Sequence, residues 1–155
     1  MTLSLNLPII TLRTKRQQEE KVEDKAYTTE IKVRYAETDK MGIVYYANYL
    51  VWFEVARTEY FSARGYDYLE VEKQGLFMAV VESYCRYKSP ARYGDTILVE
   101  TWPEDVKNSS LKFSYHIYRK SDHLLLCDGY TTHVLIDENI KPRKIPEKIR
   151  EILIH

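Results

Sequence analysis

Asp39 is the residue in this sequence whose setting is best suited to chemistry. It precedes Gly42 in a polar turn, and an amphipathic helix is predicted to begin shortly afterwards, at Asn48. A carboxylate beside a helix N-terminus can attack a carbonyl carbon or deprotonate a water, while unpaired N–H groups of the first helical turn stabilise negative charge on the carbonyl oxygen. The other interpretation is that Asp39 only caps a turn. Glu37 is a second carboxylate nearby and a reserve candidate for the base.

Gly42 and Asn48 complete this candidate site. A glycine lets the chain turn sharply and leaves room for a ligand to approach the backbone. The Asn48 side chain can position a water or a carbonyl group, or it can cap the helix by accepting a backbone N–H. The sequence therefore predicts a strand, a turn and a helix that hold one acid beside one helix start.

Other common kinds of site lack support in the composition. The 23 basic and 23 acidic residues balance, so no long-range field favours nucleic acid. The 4 histidines are not spaced as metal ligands and no glycine-rich phosphate loop is present, so we expect neither a metal nor another cofactor. Cys85 and Cys127 are far apart in sequence and are expected to be structural thiols.

Neither a signal peptide nor a membrane-spanning helix is expected. Residues 1–12 have no basic segment before them, and no apolar run approaches the ~20 residues that a spanning helix needs. We therefore expect a soluble, cytoplasmic protein without membrane insertion. Residues 13–25 are highly charged and lack an apolar stripe, which predicts an exposed helix or a flexible arm. We assign residues 1–25 to a charged N-terminal extension and residues 26–155 to one domain.

The elements that hold the site follow from hydrophobic periodicity. Residues 29–35 alternate apolar and polar side chains, which predicts a half-buried strand. Residues 48–64 place apolar side chains three and four positions apart, which predicts a long amphipathic helix. Asn48 is its predicted N-cap, and Gly65 is expected to end it in a left-handed conformation.

Four further strands are predicted after this helix, without another helix between them, at residues 76–88, 96–102, 111–119 and 124–137. Pro103 is expected to end the second of them. Gly129 indicates a bulge or a close backbone approach. Pro146 predicts the start of a short terminal helix at residues 147–154. The order favours an α+β fold with a five-stranded antiparallel sheet, and its many aromatic residues indicate oligomerisation.

Three segments carry a family resemblance. They are RYAETDKMGIVYYANYLVWFEVAR (34–57), YKSPARYGD (87–95) and IDENIKPRKIPE (136–147). Together they resemble the hotdog-fold acyl-CoA thioesterases, in the branch of the 4-hydroxybenzoyl-CoA thioesterase and the Tol-Pal-associated thioesterases. The resemblance covers about residues 31–152 and leaves residues 1–25 without a counterpart. It implies a hotdog fold, with the sheet wrapped around the long central helix, and a homodimer joined edge to edge or a homotetramer.

The resemblance also implies a reaction, the hydrolysis of an acyl-CoA to a free acid and coenzyme A. It places the catalytic acid at Asp39, as nucleophile or general base. It places the amide that polarises the thioester carbonyl at Tyr46, where several bacterial relatives have a histidine. The expected substrate contacts are Gly42, Val44, Asn48, and the basic residues Arg86, Lys88 and Arg92 for the phosphates of coenzyme A. A solvated sheet edge explains these basic residues equally well.

Other functions stay open beside this one. The same groove can serve a non-catalytic module that binds acyl thioesters or acyl carrier protein, docked through the charged extension. A hotdog dehydratase is disfavoured, because that chemistry relies on a histidine base and none lies near Asp39. The length or aromatic character of the acyl group does not follow from the sequence.

Overall fold

The computed structural model describes residues 25–155. In chain order the elements are β1 (Tyr27–Lys32), a 3-10 helix (Tyr35–Glu37), α1 (Asn48–Ser62), α2 (Tyr68–Glu72), β2 (Leu76–Tyr87), β3 (Thr96–Glu104), β4 (Ser110–Arg119), β5 (Leu124–Asp137) and α3 (Glu147–Ile154). The predicted charged extension, residues 1–25, lies outside the described residues except for its last position. No helix within residues 25–155 is long and apolar enough to span a membrane.

The sheet is antiparallel throughout, with the strand order β1-β3-β4-β5-β2. Short connections join β3 to β4 and β4 to β5, whereas α1 and α2 lie in the long connection between the two edge strands, β1 and β2. The predicted α+β architecture with five antiparallel strands is confirmed. Each edge strand has a strand partner on only one side among the described residues.

The core lies between α1 and one face of the sheet. Alternate residues of the central strands are buried on that face, because successive side chains of a strand point to opposite sides. Helix α1 contributes Trp52, Phe53, Ala56 and Tyr60, each at most 1 % exposed. The Phe53 ring stacks on Tyr115 with centroids 4.0 Å apart. Full burial of a phenylalanine-sized side chain stabilises a fold by about 1.5–3 kcal/mol, so the sheet holds the long helix firmly, as predicted.

Gly129 lies in the middle of β5, where other groups pass close to its backbone. A Cβ at this position would clash with the Tyr84 carbonyl oxygen and would lie 2.9 Å from the Phe53 ring. No irregularity of strand register falls at Gly129. Of the two explanations that the sequence leaves open, the close backbone approach is confirmed and the bulge is wrong.

The ends of β1 and β3 differ from the predictions, and one helix is not predicted; the other bounds agree within two residues. Strand β1 ends before Tyr35, which begins the 3-10 helix and is 77 % exposed. Pro103 lies inside β3, because β1 covers β3 only as far as Thr101 and the ladder on that side has ended before the proline. The predicted absence of a helix between α1 and β2 is wrong, since α2 forms there. Its 5 residues are too few to show a helical periodicity.

Candidate active site

The turn that carries Asp39 is a short loop closed by backbone hydrogen bonds. The Asp39 N–H donates to the Ile43 carbonyl, and the Gly42 N–H donates to the Asp39 carbonyl, both at N···O distances of 2.9 Å. Thr38 and Val44 pair with each other on either side of the loop. Gly42 has a φ of +73°, in the left-handed region that residues with a Cβ rarely adopt. The predicted sharp turn at a glycine is confirmed.

The Asp39 carboxylate is half-buried and only partly engaged. Its Oδ1 accepts a hydrogen bond from the Met41 N–H at 2.8 Å. Its Oδ2 has no hydrogen-bond partner among residues 25–155. A carboxylate has about four lone-pair sites, so one bond orients the group and leaves most of its acceptor capacity free. Asp39 therefore presents an oriented oxygen that a water or a carbonyl carbon can approach.

Glu37, the reserve candidate for the base, is occupied by structural contacts. It is 4 % exposed, and its Oε1 accepts a hydrogen bond from Trp52 Nε1 at 3.1 Å. Its Oε2 accepts one from the Arg34 N–H at 2.8 Å, and the Arg34 guanidinium lies 3.4 Å from Oε1. A buried carboxylate must be satisfied in this way to be tolerated. Glu37 is thus a support for the fold and not a base.

Asn48 joins the turn to helix α1, but not as an N-cap. The N-cap position is Ala47, which makes no side-chain capping bond. Asn48 Nδ2 donates to the Glu37 carbonyl at 2.9 Å, and the Tyr45 N–H donates to the same oxygen at 2.8 Å. The predicted cap is wrong because the side chain faces the loop before the helix. Its amide nitrogen is engaged within the protein, and the predicted substrate contact of Asn48 stays a prediction.

The peptide between Tyr45 and Tyr46 points its N–H away from the helix. The Tyr45 carbonyl accepts the Asn48 N–H at 3.0 Å, which turns that carbonyl toward the first helical turn. In a trans peptide the N–H points opposite to the carbonyl, so the Tyr46 N–H points outward. It has no acceptor among residues 25–155. An unpaired donor at this place is suited to stabilise negative charge on a carbonyl oxygen.

A second loop, residues 88–95, is hydrogen-bonded to the turn that carries Asp39. The Val44 N–H donates to the Ala91 carbonyl at 2.8 Å, and Arg92 Nη1 donates to the Gly42 carbonyl at 3.3 Å. Val44 is 4 % exposed, so its side chain belongs to the core and only its backbone borders the site. The substrate contact that the resemblance implies for Val44 stays a prediction, and the Val44 backbone is the part that could make it.

The three basic residues expected to meet phosphates do not converge. Arg86 forms a bidentate pair with Asp128 at 3.1 and 2.7 Å, and this pairing lowers the pKa of the Asp128 carboxyl. Arg92 is engaged with the carbonyl of Gly42. Lys88 is exposed and makes no salt bridge among the described residues. Of the three, Lys88 alone keeps its charged group without a protein partner in this part of the chain.

Tyr87 is a contact of the helix start to which the sequence gives no role. Its hydroxyl donates to the Tyr46 carbonyl at 3.2 Å. Its ring meets the Tyr49 ring edge-on, with centroids 5.1 Å apart. Burial and the neighbouring Cys85 thiol raise the pKa of the Tyr87 hydroxyl, which keeps it a donor at neutral pH. No local pattern could reveal this contact, because Tyr46 and Tyr87 are 41 residues apart.

The remaining titratable groups of interest lie in the sheet. Cys85 and Cys127 are free thiols. His133 is fully buried beside Thr131, with 2.8 Å between His133 Nε2 and the threonine hydroxyl. Burial and the positive charge of Arg57 lower the pKa of His133 to about 3, so its imidazole is neutral. Residues 25–155 hold no group of three or more side chains arranged to bind a metal ion.

Comparison with known proteins relates the chain to thioesterases. Residues 33–153 match the model of the thioesterase-like superfamily. A putative acyl-CoA thioesterase of Bacillus subtilis, YneP, is 46 % identical over 114 residues, which are 73 % of this chain and 82 % of that protein.

Solved structures agree with this relation. A hypothetical protein of Thermus thermophilus is 37 % identical with a TM-score of 0.76, over 83 % of this chain and 95 % of that one. The DHNA-CoA thioesterase of Staphylococcus aureus is 35 % identical with a TM-score of 0.78, over 82 % of this chain and 87 % of that one.

Proposed function

Because this chain belongs to the thioesterase-like superfamily, we propose that it hydrolyses an acyl-CoA thioester to a free acid and coenzyme A. One observation carries the proposal for the site. The Asp39 carboxylate, with one oxygen free of hydrogen bonds, and the unpaired Tyr46 N–H lie on one short segment at the start of α1. A nucleophile or base and an oxyanion donor are the groups that acyl transfer requires.

Asp39 acts in one of two ways. It deprotonates a water whose oxygen attacks the thioester carbonyl carbon, or its own oxygen attacks to form a mixed anhydride that water then hydrolyses. In both routes the carbon–sulfur bond breaks and the coenzyme A sulfur leaves as the thiolate. The thiolate then takes up a proton. The free Oδ2 supports both routes, because neither requires Asp39 to give up its bond from Met41.

The Tyr46 N–H is the proposed donor to the thioester carbonyl oxygen. Negative charge gathers on that oxygen as the carbonyl carbon becomes tetrahedral, and a donor fixed beforehand stabilises it without reorganisation. The partial positive charge of the α1 N-terminus acts in the same direction. The Tyr46 N–H points outward and has no acceptor within residues 25–155, and both observations support its role as the oxyanion donor.

Substrate contacts follow from the space and charge around this loop. Gly42 has no side chain of its own to keep the thioester away from the backbone. Lys88 is the proposed phosphate contact, supported by its exposure and its lack of a salt bridge among the described residues. Arg92 lies beside the Asp39 loop, but its guanidinium holds the Gly42 carbonyl. Arg86 is bound to Asp128 and is a weaker candidate.

The finer placement is within the branch of the 4-hydroxybenzoyl-CoA and Tol-Pal-associated thioesterases, supported by the segments around Asp39, Tyr87 and Ile136. The free thiols of Cys85 and Cys127 fit a reducing compartment, so the proposed location is the cytoplasm. A panel of acetyl, benzoyl and palmitoyl thioesters of coenzyme A would define the acyl group.

A homo-oligomer is part of the proposal. Strand β2 is an edge strand of 12 residues, and Val80, Val81, Tyr84 and Tyr87 on it are each more than 40 % exposed. A long apolar edge with unpaired backbone groups is a template for another strand and is seldom left open. A second copy joined at β2 covers it, giving a dimer or, by further packing, a tetramer.

The test compares two matched aspartates. Asp39 and Asp67 each accept a backbone N–H from the residue two positions on, at 2.8 and 2.9 Å. Release of free thiol from an acyl-CoA is measured for the wild type, Asp39→Asn and Asp67→Asn. We expect Asp39→Asn to lose at least about a hundredfold in kcat, whereas Asp67→Asn keeps its activity. Full activity in Asp39→Asn would refute the assigned role, and binding of acyl-CoA without any turnover by the wild type would favour the non-catalytic module.

A further inference from the structure

The first turn of α1 is held only weakly by its own hydrogen bonds. The carbonyls of Tyr45, Tyr46 and Ala47 each accept an N–H from three positions on, at 3.0, 3.3 and 3.2 Å. Bonds of this kind have poorer geometry than those of a regular α-helix. The N-cap also makes no side-chain bond. The orientation of the peptides around Tyr46 therefore depends on contacts from outside the helix.

Tyr87 supplies such a contact from strand β2. Its hydroxyl is 3.2 Å from the Tyr46 carbonyl, which holds the peptide that follows Tyr46. The length of this hydrogen bond falls within the 3.0–3.3 Å range of the bonds in the helical turn itself. It fixes the peptide plane after Tyr46, while the bond from the Asn48 N–H to the Tyr45 carbonyl fixes the preceding plane, which carries the Tyr46 N–H. Because the two planes meet at the Tyr46 Cα, the Tyr87 bond restricts movement of the Tyr46 backbone from one side of that atom.

The Tyr87 ring is itself held in place. It packs edge-on against Tyr49, and it also meets the Tyr46 ring edge-on, with centroids 6.4 Å apart. The Tyr49 hydroxyl accepts the Ala91 N–H at 3.3 Å, so this support is tied to the loop of residues 88–95. A ring with two aromatic neighbours loses less freedom when its hydroxyl binds than a fully solvated ring would, which makes the hydrogen bond more effective.

We propose that Tyr87 is a positioning residue for thioester hydrolysis, whose hydroxyl holds the Tyr46 N–H in the orientation that receives the oxyanion. This inference rests on the proposed function of the Tyr46 N–H. Tyr87 does not touch the reacting atoms and acts through the backbone of Tyr46. Its contribution appears when charge develops on the carbonyl oxygen, so it affects kcat and leaves substrate binding unchanged.

Tyr84 provides a matched control on the same strand. Tyr84 and Tyr87 are 44 % and 46 % exposed. The Tyr84 ring stacks on Tyr130, with centroids 5.3 Å apart, and its hydroxyl makes no hydrogen bond among residues 25–155. Tyr84 and Tyr87 lie on opposite faces of β2, because they are three residues apart on one strand. Tyr87→Phe and Tyr84→Phe therefore remove the same group at similar exposure, and of the two only Tyr87→Phe removes the hydrogen bond to Tyr46.

Steady-state kinetics test the proposal. We expect Tyr87→Phe to lower kcat about three- to tenfold with KM unchanged, the range that one hydrogen bond supplies. Tyr84→Phe keeps the wild-type kcat, and thermal unfolding establishes that both variants are folded at the assay temperature. An unchanged kcat in Tyr87→Phe, or an equal loss in Tyr84→Phe, overturns the proposal.

Hydrogen exchange separates this inference from the proposed function. If the wild type hydrolyses no acyl-CoA, the proposed function fails, but the tether is still measurable in the free protein. We expect the backbone amides of Tyr49 and Leu50, which close the first turn, to exchange faster in Tyr87→Phe than in Tyr84→Phe. Equal exchange in the two variants overturns the positioning role of Tyr87.

Discussion

The indole N–H of Trp52 donates a hydrogen bond to the buried carboxylate of Glu37 at 3.1 Å. Trp52 lies in the second turn of α1, and Glu37 lies just before the Asp39 loop. The bond therefore ties the loop to the helix whose first turn carries the proposed oxyanion donor. Two parts of the site that are distant in sequence keep a constant separation through this contact.

Loss of that bond should destabilise the protein. Trp52→Phe leaves one oxygen of the Glu37 carboxylate without its indole donor, and a hydrogen bond to a charged group contributes about 1.5–3 kcal/mol. Trp102→Phe is the control, because the Trp102 indole donates to Glu104 at 2.8 Å and that carboxylate is partly hydrated. Urea unfolding should show a clearly larger loss for Trp52→Phe, and equal losses would contradict the structural role of Glu37.

Gly129→Ala should be among the most destabilising single-methyl additions in the chain. The new Cβ would clash with the Tyr84 carbonyl and press on the Phe53 ring, and overpacking of a core costs about 1–3 kcal/mol or more. Gly94→Ala is the comparison. Gly94 has a left-handed φ, +85°, but a Cβ added there would have no contact within 4 Å. It should lose only the roughly 1–2 kcal/mol of left-handed strain. Thermal unfolding that ranks Gly94→Ala as the worse change would refute the close approach.

His133 should make the fold sensitive to acid. Its folded pKa is about 3, below the ordinary value of about 6.5. The unfolded chain therefore binds a proton that the folded chain does not, and stability present above about pH 6.5 is lost as the pH falls toward 3. The loss is up to roughly 1.4 kcal/mol per pH unit. His133→Gln should flatten the pH dependence of unfolding between pH 4 and 6, as set by these pKa values, whereas His123→Gln, at an exposed position, should not. Parallel curves for wild type and His133→Gln would show this account to be wrong.

Arg92 and Lys88 should respond differently to a shortened substrate. Arg92 holds the Gly42 carbonyl at 3.3 Å, so Arg92→Ala should lower kcat even with an N-acetylcysteamine thioester, which has no nucleotide. Lys88→Ala should raise KM for acyl-CoA and have no effect on the shortened thioester. The measurement is kcat and KM for both variants with both substrates. An Arg92→Ala defect that disappears with the shortened thioester would mean that Arg92 acts on phosphate.

The edge strand should control assembly. Val81 is 60 % exposed on β2, and a lysine there places a charge where a second copy is proposed to pair. We expect sedimentation equilibrium to show a dimer or tetramer for the wild type and a shift to monomer for Val81→Lys. Ile140→Lys, at a position 77 % exposed in the turn after β5, should keep the wild-type mass. A monomeric wild type would refute the proposed oligomer.

The elements of the fold could be predicted because their signals are local. Strand β5 spans Leu124–Asp137 and α3 spans Glu147–Ile154, both with the predicted bounds. Alternation and a proline at the helix start are visible within a few residues of each element. The position of Asp39 just before α1 could be predicted for the same reason, because the acid, the glycine and the helix start are close together in the sequence.

The partners of the site residues could not be predicted, because they lie far away in the chain. Arg86 meets Asp128, 42 residues on, since β2 and β5 pair in one register. Glu37 is buried against Trp52, which lies 15 residues further on in α1 and donates its indole N–H to the carboxylate. Side-chain type alone suggests a phosphate ligand and a base at these positions, and only the tertiary contacts assign other roles.

One carbonyl oxygen, that of Glu37, accepts both the Tyr45 N–H and the Asn48 side-chain amide. A carbonyl oxygen has two lone pairs, so it holds both donors at once and anchors the loop and the helix start to the same peptide. Displacement of that peptide would move the Asp39 loop and the first turn of α1 together. The proposed base and the proposed oxyanion donor would then keep their relative positions when this part of the protein moves.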